Sequence, residues 1–231
     1  MSQLNTFDVT QTEVDERAFI SQVYLWMTTA LVVTALVAAW IASDALFVYR
    51  LVSSPLFYIL LIGELVAVIA LSALINRMSA ALATLVFFGY AALNGVTLSL
   101  IFLVYTDASI TSTFLVAAAT FGATSAYGYF TKRDLTGLGG FFVMGLIGFV
   151  IASIVNLFLQ STTVYWIITY LGILIFVGLT AYDTQKIKQM AVSGAAGGDA
   201  ERKASILGAL RLYLDFINLF LLLLRVLGRR R

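Results

Sequence analysis

Seven stretches of nearly continuous apolar sequence constrain this chain more than any other feature; they cover about residues 20–42, 56–76, 81–104, 110–130, 138–159, 163–183 and 207–227. Each is close to the roughly 20 residues that an α-helix needs to cross about 30 Å of hydrocarbon. Barrel strands alternate apolar and polar residues over about ten positions. None of these runs alternates, so helices are expected. Of the 231 residues, 61% are hydrophobic and only 11% charged, whereas a soluble domain is about half apolar and a quarter charged. Too little polar surface is available to coat a water-soluble globule, and lipid is the solvent that the surplus requires. The expected fold is all-α: a polytopic membrane protein with a seven-transmembrane-helix bundle over residues 18–231, preceded by a polar tail over residues 1–17. The tail carries Asp8, Glu13, Asp15 and Glu16 and lacks the basic start of a secretory signal. The first apolar run therefore reads as a retained span.

Most links between the runs are very short. "RMSA" joins the second and third, "TDAS" the third and fourth, and "QSTT" the fifth and sixth, so these neighbours are expected to be antiparallel. Residues 191–205, "AVSGAAGGDAERKAS", read as a flexible, water-exposed loop. No internal repeat is evident, which gives little support to an inverted-repeat transporter. With seven crossings, Arg17, Arg77, Lys132, Arg133, Lys186, Lys188, Arg202 and Lys203 fall on one side, and Arg50, Arg225, Arg229, Arg230 and Arg231 on the other. That asymmetry favours a cytoplasmic amino terminus. The closing arginines argue the other way unless the last segment is re-entrant, and the side of the carboxyl terminus stays open.

Cysteine and histidine are both absent. Disulfides, thiolate metal sites, histidine-ligated haem and Ser-His or Cys-His catalysis are thereby excluded, as is the usual switch near neutral pH. Net charge is +2, and no basic cluster is interleaved with aromatics, so nucleic acid is not an expected partner. "GLGG" at residues 137–140 has neither the preceding strand nor the spacing of a phosphate-binding loop. No cofactor and no enzymatic activity are expected.

Three acids fall within or at the edge of spans: Glu64, Asp183 and Asp215. A charge at mid-helix costs roughly 2.5–3.5 kcal/mol on insertion scales, so each calls for a role and a partner. Asp215 lies roughly 12 Å into the last span at about 1.5 Å per residue. Asp183 closes the sixth span within "GLTAYDTQKIKQM". The last two spans are antiparallel across one loop, so both acids lie toward the same membrane face. If the sixth helix continues through Lys186, the two carboxylates meet inside the bundle. Two such groups in a poorly solvated site share one proton, which brings a protonation change near neutral pH without histidine. Deprotonated, they suit a hard divalent ion, calcium above all. Calcium takes about six to eight oxygens, so Asp183, Asp215 and Glu64 would bind it only weakly, with water or carbonyls completing the shell.

Each acid also has a structural reading. Arg211, four residues before Asp215, would neutralise it in an ion pair. Asp183 would be a solvated helix end beside Lys186. Glu64 has no basic residue within a turn and needs a partner from another helix. Asn94, Asn156 and Asn218 are explained most cheaply as interhelical hydrogen bonds, and Trp26, Trp40 and Trp166 as interfacial belts and packing. Ala118, Gly122 and Ala126, then Gly137, Gly139, Gly140, Gly145 and Gly148, permit close helix approach; packing within one bundle is preferred over a dimer seam.

The motifs "AYDTQKIK" and "LRLYLDFINLFLLLLRVLG", with "VDERAFISQVYLWMTTALVVTALVAAW" and "ELVAVIALSALINR" earlier in the chain, resemble the Bax inhibitor-1 (transmembrane Bax inhibitor motif) family over about residues 13 to 228, and most closely its bacterial inner-membrane branch. The resemblance implies seven transmembrane helices and a pH-sensitive calcium leak, with no resident cofactor. It implies that Asp183 and Asp215 are the family's proton-sharing pair and that Glu64 is its calcium-linked acid. It also implies that eukaryotic relatives suppress cell death and lower stored calcium, and that a bacterial relative modulates a membrane protease. Members carry a basic cluster ending the second helix, with an arginine that bonds to the aspartate pair. Here only Arg77 remains, shifted toward the loop, and Arg211 stands where a bacterial relative has a small residue, as its candidate replacement.

Two functions follow as leading expectations. One is a channel passing Ca²⁺ by Glu64 and a gate formed by Asp183 and Asp215. The alternative is a non-conducting membrane regulator that binds a membrane protease or another membrane complex. A proton-coupled exchanger would use the same acids. An intramembrane hydrolase has the least support.

Overall fold

Every apolar run is largely helical. In order along the chain come α1 (Ser2–Ala42), α2 (Ala45–Val52), α3 (Pro55–Leu74), α4 (Ala80–Leu98), α5 (Ile101–Val104), α6 (Asp107–Phe130), α7 (Thr136–Leu159), α8 (Thr162–Val192) and α9 (Asp199–Leu227). This computed structural model describes the backbone of residues 2–192 and 198–231, and side chains over 15–191 and 198–231. Among the described residues, six helical stretches are long and apolar enough to cross a membrane: Asp15–Ala42, Pro55–Arg77, Ala80–Val104, Thr136–Leu159, Thr162–Ala191 and Asp199–Leu227. The expected fourth span, α6, has the length with 24 residues, but its seven serines and threonines leave it less apolar than these six.

The helix boundaries follow local chemistry. Pro55 opens α3, where its missing N–H costs nothing. The side chains of Asp44, Ser79 and Thr106 cap α2, α4 and α6 by accepting from the backbone N–H three residues on. The third apolar run is interrupted at Ser99–Leu100 between α4 and α5. Hydrogen bonds there tighten to an i to i+3 pattern, from Phe102 N to Ser99 O and from Leu103 N to Leu100 O. The loop expected at 191–205 is shorter than its composition suggests: α9 already starts at Asp199. Asp199 and Glu201 in its first turn favour the start of a helix. Residues 193–197 lie outside the described set.

The chain divides into two compact units, Met1–Val104 with Ile187–Tyr213, and Tyr105–Lys186 with Leu214–Arg231. In the first, α4 packs closely on α1: a methyl at Gly95 would stand 2.6 Å from the Thr34 carbonyl oxygen. The Thr34 hydroxyl bonds the Ala91 carbonyl at 2.8 Å and shares a 2.7 Å hydrogen bond with Tyr213. The start of α9 is held there too, by Asp199 on Ala80 N and Lys203 on the Met78 carbonyl.

The second unit interlocks by glycine notches. Phe142 and Phe149 of α7 fill notches at Gly178 and Gly172 of α8, and Tyr182 and Ile175 of α8 lie against Gly139 and Gly145 of α7. The paired numbers sum to 320 or 321, which is a regular antiparallel register. Gly139 and Gly145 thus pack as expected, whereas Gly137, Gly140 and Gly148 have open space. The small stripe of α6 is a correction. Gly122 and Ala126 are exposed, and Thr113, Ala117, Phe121, Ser125 and Gly128 carry the buried face instead. The asparagines are another. Asn94 bonds Tyr90, Asn218 bonds the Leu214 carbonyl, and Asn156 accepts from Ser161 N. Each partner is close in sequence, so among the described residues these groups satisfy local needs and do not bridge helices.

Candidate functional site

Asp183 and Asp215 both belong to the second unit. α8 runs on past Asp183 to Val192, so this acid sits inside a helix and is half-buried. Asp215 is 4% exposed, in the interior of α9. Both carboxylates, like Arg211, are engaged in polar or electrostatic interactions. Arg211 is half-buried, one turn before Asp215, and Arg77 is exposed at the end of the 3-10 turn Ile75–Arg77. Lys186 turns to the Tyr182 hydroxyl at 3.4 Å.

Ideal helix geometry, extended from the contact between α8 and α9, puts the two aspartates on facing stripes of an antiparallel helix pair. A methyl at Gly172 of α8 would stand 2.8 Å from Leu222 Cδ1 of α9, so the helices approach closely at that level. Asp183 follows Gly172 by three turns and returns to within about 20° of the same face. Asp215 precedes Leu222 by two turns and also returns to within about 20°. Counted from the Gly172–Leu222 level, Asp183 lies about one turn, roughly 6 Å, beyond Asp215 along the shared axis.

α6 supplies a third wall that residue types alone did not single out. Its Phe114 and Phe121 hold Phe216 edge-on, with ring centroids at 5.4 and 5.5 Å. One turn beyond Phe121, Ser125 is 6% exposed, and its hydroxyl makes no hydrogen bond among the described residues. A serine in register with the buried stripe 113, 117, 121 and 128 was the available signal. Gln185 is a second such residue. It accepts from Leu135 N at 2.8 Å and donates to the Arg133 carbonyl at 2.8 Å, tying the α6–α7 turn to α8.

Glu64 belongs to the first unit. It is half-buried on α3, and its Oε1 accepts a 2.7 Å hydrogen bond from the Thr97 hydroxyl of α4. The partner from another helix that Glu64 required is thus a hydroxyl. Thr97 sits in the last turn of α4, just before the interruption at Ser99–Leu100. Irregular backbone at membrane depth is tolerated where protein or a polar cavity covers it. Asn94, one turn earlier and 7% exposed, keeps its Oδ1 without a hydrogen bond among the described residues. Among those residues no three acidic side chains cluster to hold a metal. A hard cation at any of these carboxylates would need water and carbonyl oxygens as well.

Comparison with known proteins gives the same family as the motifs. A family model described as inhibitor of apoptosis-promoting Bax1 matches residues 16–231. The chain is 53% identical over 217 residues to the inner membrane protein YbhL of Escherichia coli K12, covering 93% of each protein. It is 42% identical to an uncharacterized protein of Deinococcus radiodurans, covering 98% of this chain and 94% of that one. It is also 42% identical to the uncharacterized protein RP147 of Rickettsia prowazekii, covering 93% and 91%. With six helices long and apolar enough to span, this is a multi-pass protein of the bacterial inner membrane. It belongs to the Bax inhibitor-1 family.

Proposed function

We propose that this chain is a pH-sensitive calcium leak channel of the inner membrane, gated by a proton that Asp183 and Asp215 share, with α6 as the seventh crossing. Calcium is the transported ion, not a resident cofactor, and no covalent chemistry is involved. The observation that supports this reading most is the Gly172–Leu222 contact. Extended along ideal helices, it supports facing positions for the two acid-bearing stripes, with an axial offset of about one turn between the two residues. Two carboxylates on facing stripes, one of them on a residue 4% exposed, are poorly solvated as a doubly ionised pair. One bound proton removes the repulsion, and its loss favours a packing in which the two groups separate or take up a cation. A preference of a few kcal/mol between packings shifts populations substantially. Glu64, with Thr97 beside it, is the proposed carboxylate of the ion pathway.

The test is calcium flux into liposomes carrying the purified chain, followed from about pH 6 to 8, the range expected for such a coupled pair. Asp183→Asn and Asp215→Asn should each flatten the pH dependence. Flux whose pH dependence survives in both variants overturns the gate. If wild-type vesicles pass no calcium at any pH, the regulator of a membrane protease becomes the better reading. Where wild-type vesicles do pass calcium, deleting residues 1–16 separates the two: it should impair a partner and spare flux.

A further inference from the structure

The carboxyl-terminal tail is pinned, and its pinning gathers charge. The Thr106 N–H donates to the Arg229 carbonyl at 3.1 Å, and Arg229 N donates to the Ser109 hydroxyl at 3.0 Å. Tyr105 and Arg230 form a single antiparallel bridge. Arg231 Nη2 reaches Asp107 Oδ1 at 2.8 Å. Arg225, one turn earlier, lies over the Tyr165 ring at 5.4 Å. Four arginines therefore collect at this end of the second unit, and the one acidic side chain there among the described residues, Asp107, is already held by Arg231. Arg225, Arg229 and Arg230 are exposed and make no ion pair among the described residues.

The same end carries an aromatic group at the start of α8. Trp166 stacks on Tyr170 at 5.9 Å and meets Tyr165 edge-on at 5.5 Å. Tryptophan and tyrosine mark the headgroup level of a bilayer. Guanidinium groups at that level recognise phosphodiesters through paired N–H donors, and each basic residue near an anionic lipid surface adds about 1 kcal/mol, roughly fivefold in affinity.

We propose that Arg225, set over Tyr165 by α9, and Arg229 and Arg230, held at the same end by the pinned tail, form a binding site for the phosphate headgroup of an anionic phospholipid. Arg229 and Arg230 are pinned through their main-chain groups, so their side chains are available to a ligand. Selectivity for an anionic headgroup comes from the uncompensated charge, because a zwitterionic lipid brings its own cation.

The experiment is thermal unfolding of the full chain in a neutral detergent, titrated with short-chain phosphatidylglycerol, short-chain phosphatidylcholine or inorganic phosphate. Phosphatidylglycerol should raise the midpoint, and the other two should leave it unchanged. In Arg229→Gln/Arg230→Gln, the midpoint without lipid should stay the same, because these two residues are pinned through their main-chain groups. The apparent affinity for phosphatidylglycerol should fall at least tenfold. Arg225→Gln alone should weaken binding about fivefold, an independent reading if the double variant folds poorly. Equal shifts with both lipids, an equal shift with phosphate alone, or an undiminished response in the variants would overturn the site.

Discussion

Thr97 donates its hydroxyl proton to Glu64 at 2.7 Å, and the same hydroxyl lies 2.9 Å from the Asn94 carbonyl of its own helix. A threonine has one proton to give, so ionised Glu64 competes with the α4 backbone for it. Thr97→Val removes the donor and keeps the shape. It should cost about 1–2 kcal/mol, because a half-buried carboxylate loses a charge-assisted bond. Chemical or thermal unfolding in detergent measures this. Thr97→Ser, which keeps the donor, should lie much nearer wild type; equal losses for Val and Ser would assign the effect to packing.

The notch at Gly172 receives both Phe149 and Leu222, at 2.7 and 2.8 Å from the position of an added methyl. Gly172→Ala therefore forces apart helices that are in contact. A loss of about 1–3 kcal/mol is expected, as for other overpacked cores. Gly148→Ala, on the neighbouring helix with open space around it, should be nearly neutral or slightly stabilising. If the two variants unfold at the same midpoint, the notch does not carry the α8–α9 approach.

Gln160 closes α7 in the left-handed region, with φ 48° and ψ 31°. Only glycine takes that conformation without a Cβ penalty. Gln160→Gly should stabilise by about 0.5–1 kcal/mol, and Gln160→Val should destabilise. A lower unfolding midpoint for the glycine variant would contradict this.

Asp134 precedes α7 and accepts from Thr136 N at 2.8 Å. Its hydrogen bonds with Thr136, through side chain and backbone, hold the carboxyl below its usual range. The sign follows from that depression. The contribution is complete above the unfolded-state value near about 4 and is lost as pH falls through the lower folded value. The protection of amides in the first turn of α7, corrected for the intrinsic pH dependence of exchange, should therefore fall on acidification in the wild type. Asp134→Asn should remove that acid-dependent step.

Much of the fold was legible because long apolar runs admit so few solutions. The seven runs all became largely helical, the third with a break at Ser99–Leu100, and "QSTT" and "RMSA" became the short links expected of them. What composition misjudged was decided by partners that composition does not see. Residues 199–205 looked like linker, yet Asp199 and Lys203 find backbone groups at the start of α4 and join α9. The 118, 122 and 126 stripe had the right spacing for close packing, but Phe121 and Gly128 set which face of α6 turns inward. The acids were found because charge is rare and costly in lipid. Their neighbours Thr97 and Ser125 were not, because hydroxyls are common in membrane helices and only burial distinguishes these two.

The central claim is that Asp183 and Asp215 hold one proton between them. Infrared titration of the carboxylic acid C=O stretch in the reconstituted chain tests it most directly. Between about pH 6 and 8 one such band should disappear in the wild type, and that titration should be lost or displaced in both Asp183→Asn and Asp215→Asn. A band that titrates unchanged in either variant, or two acids that ionise independently at the pH of ordinary carboxylates, would contradict it.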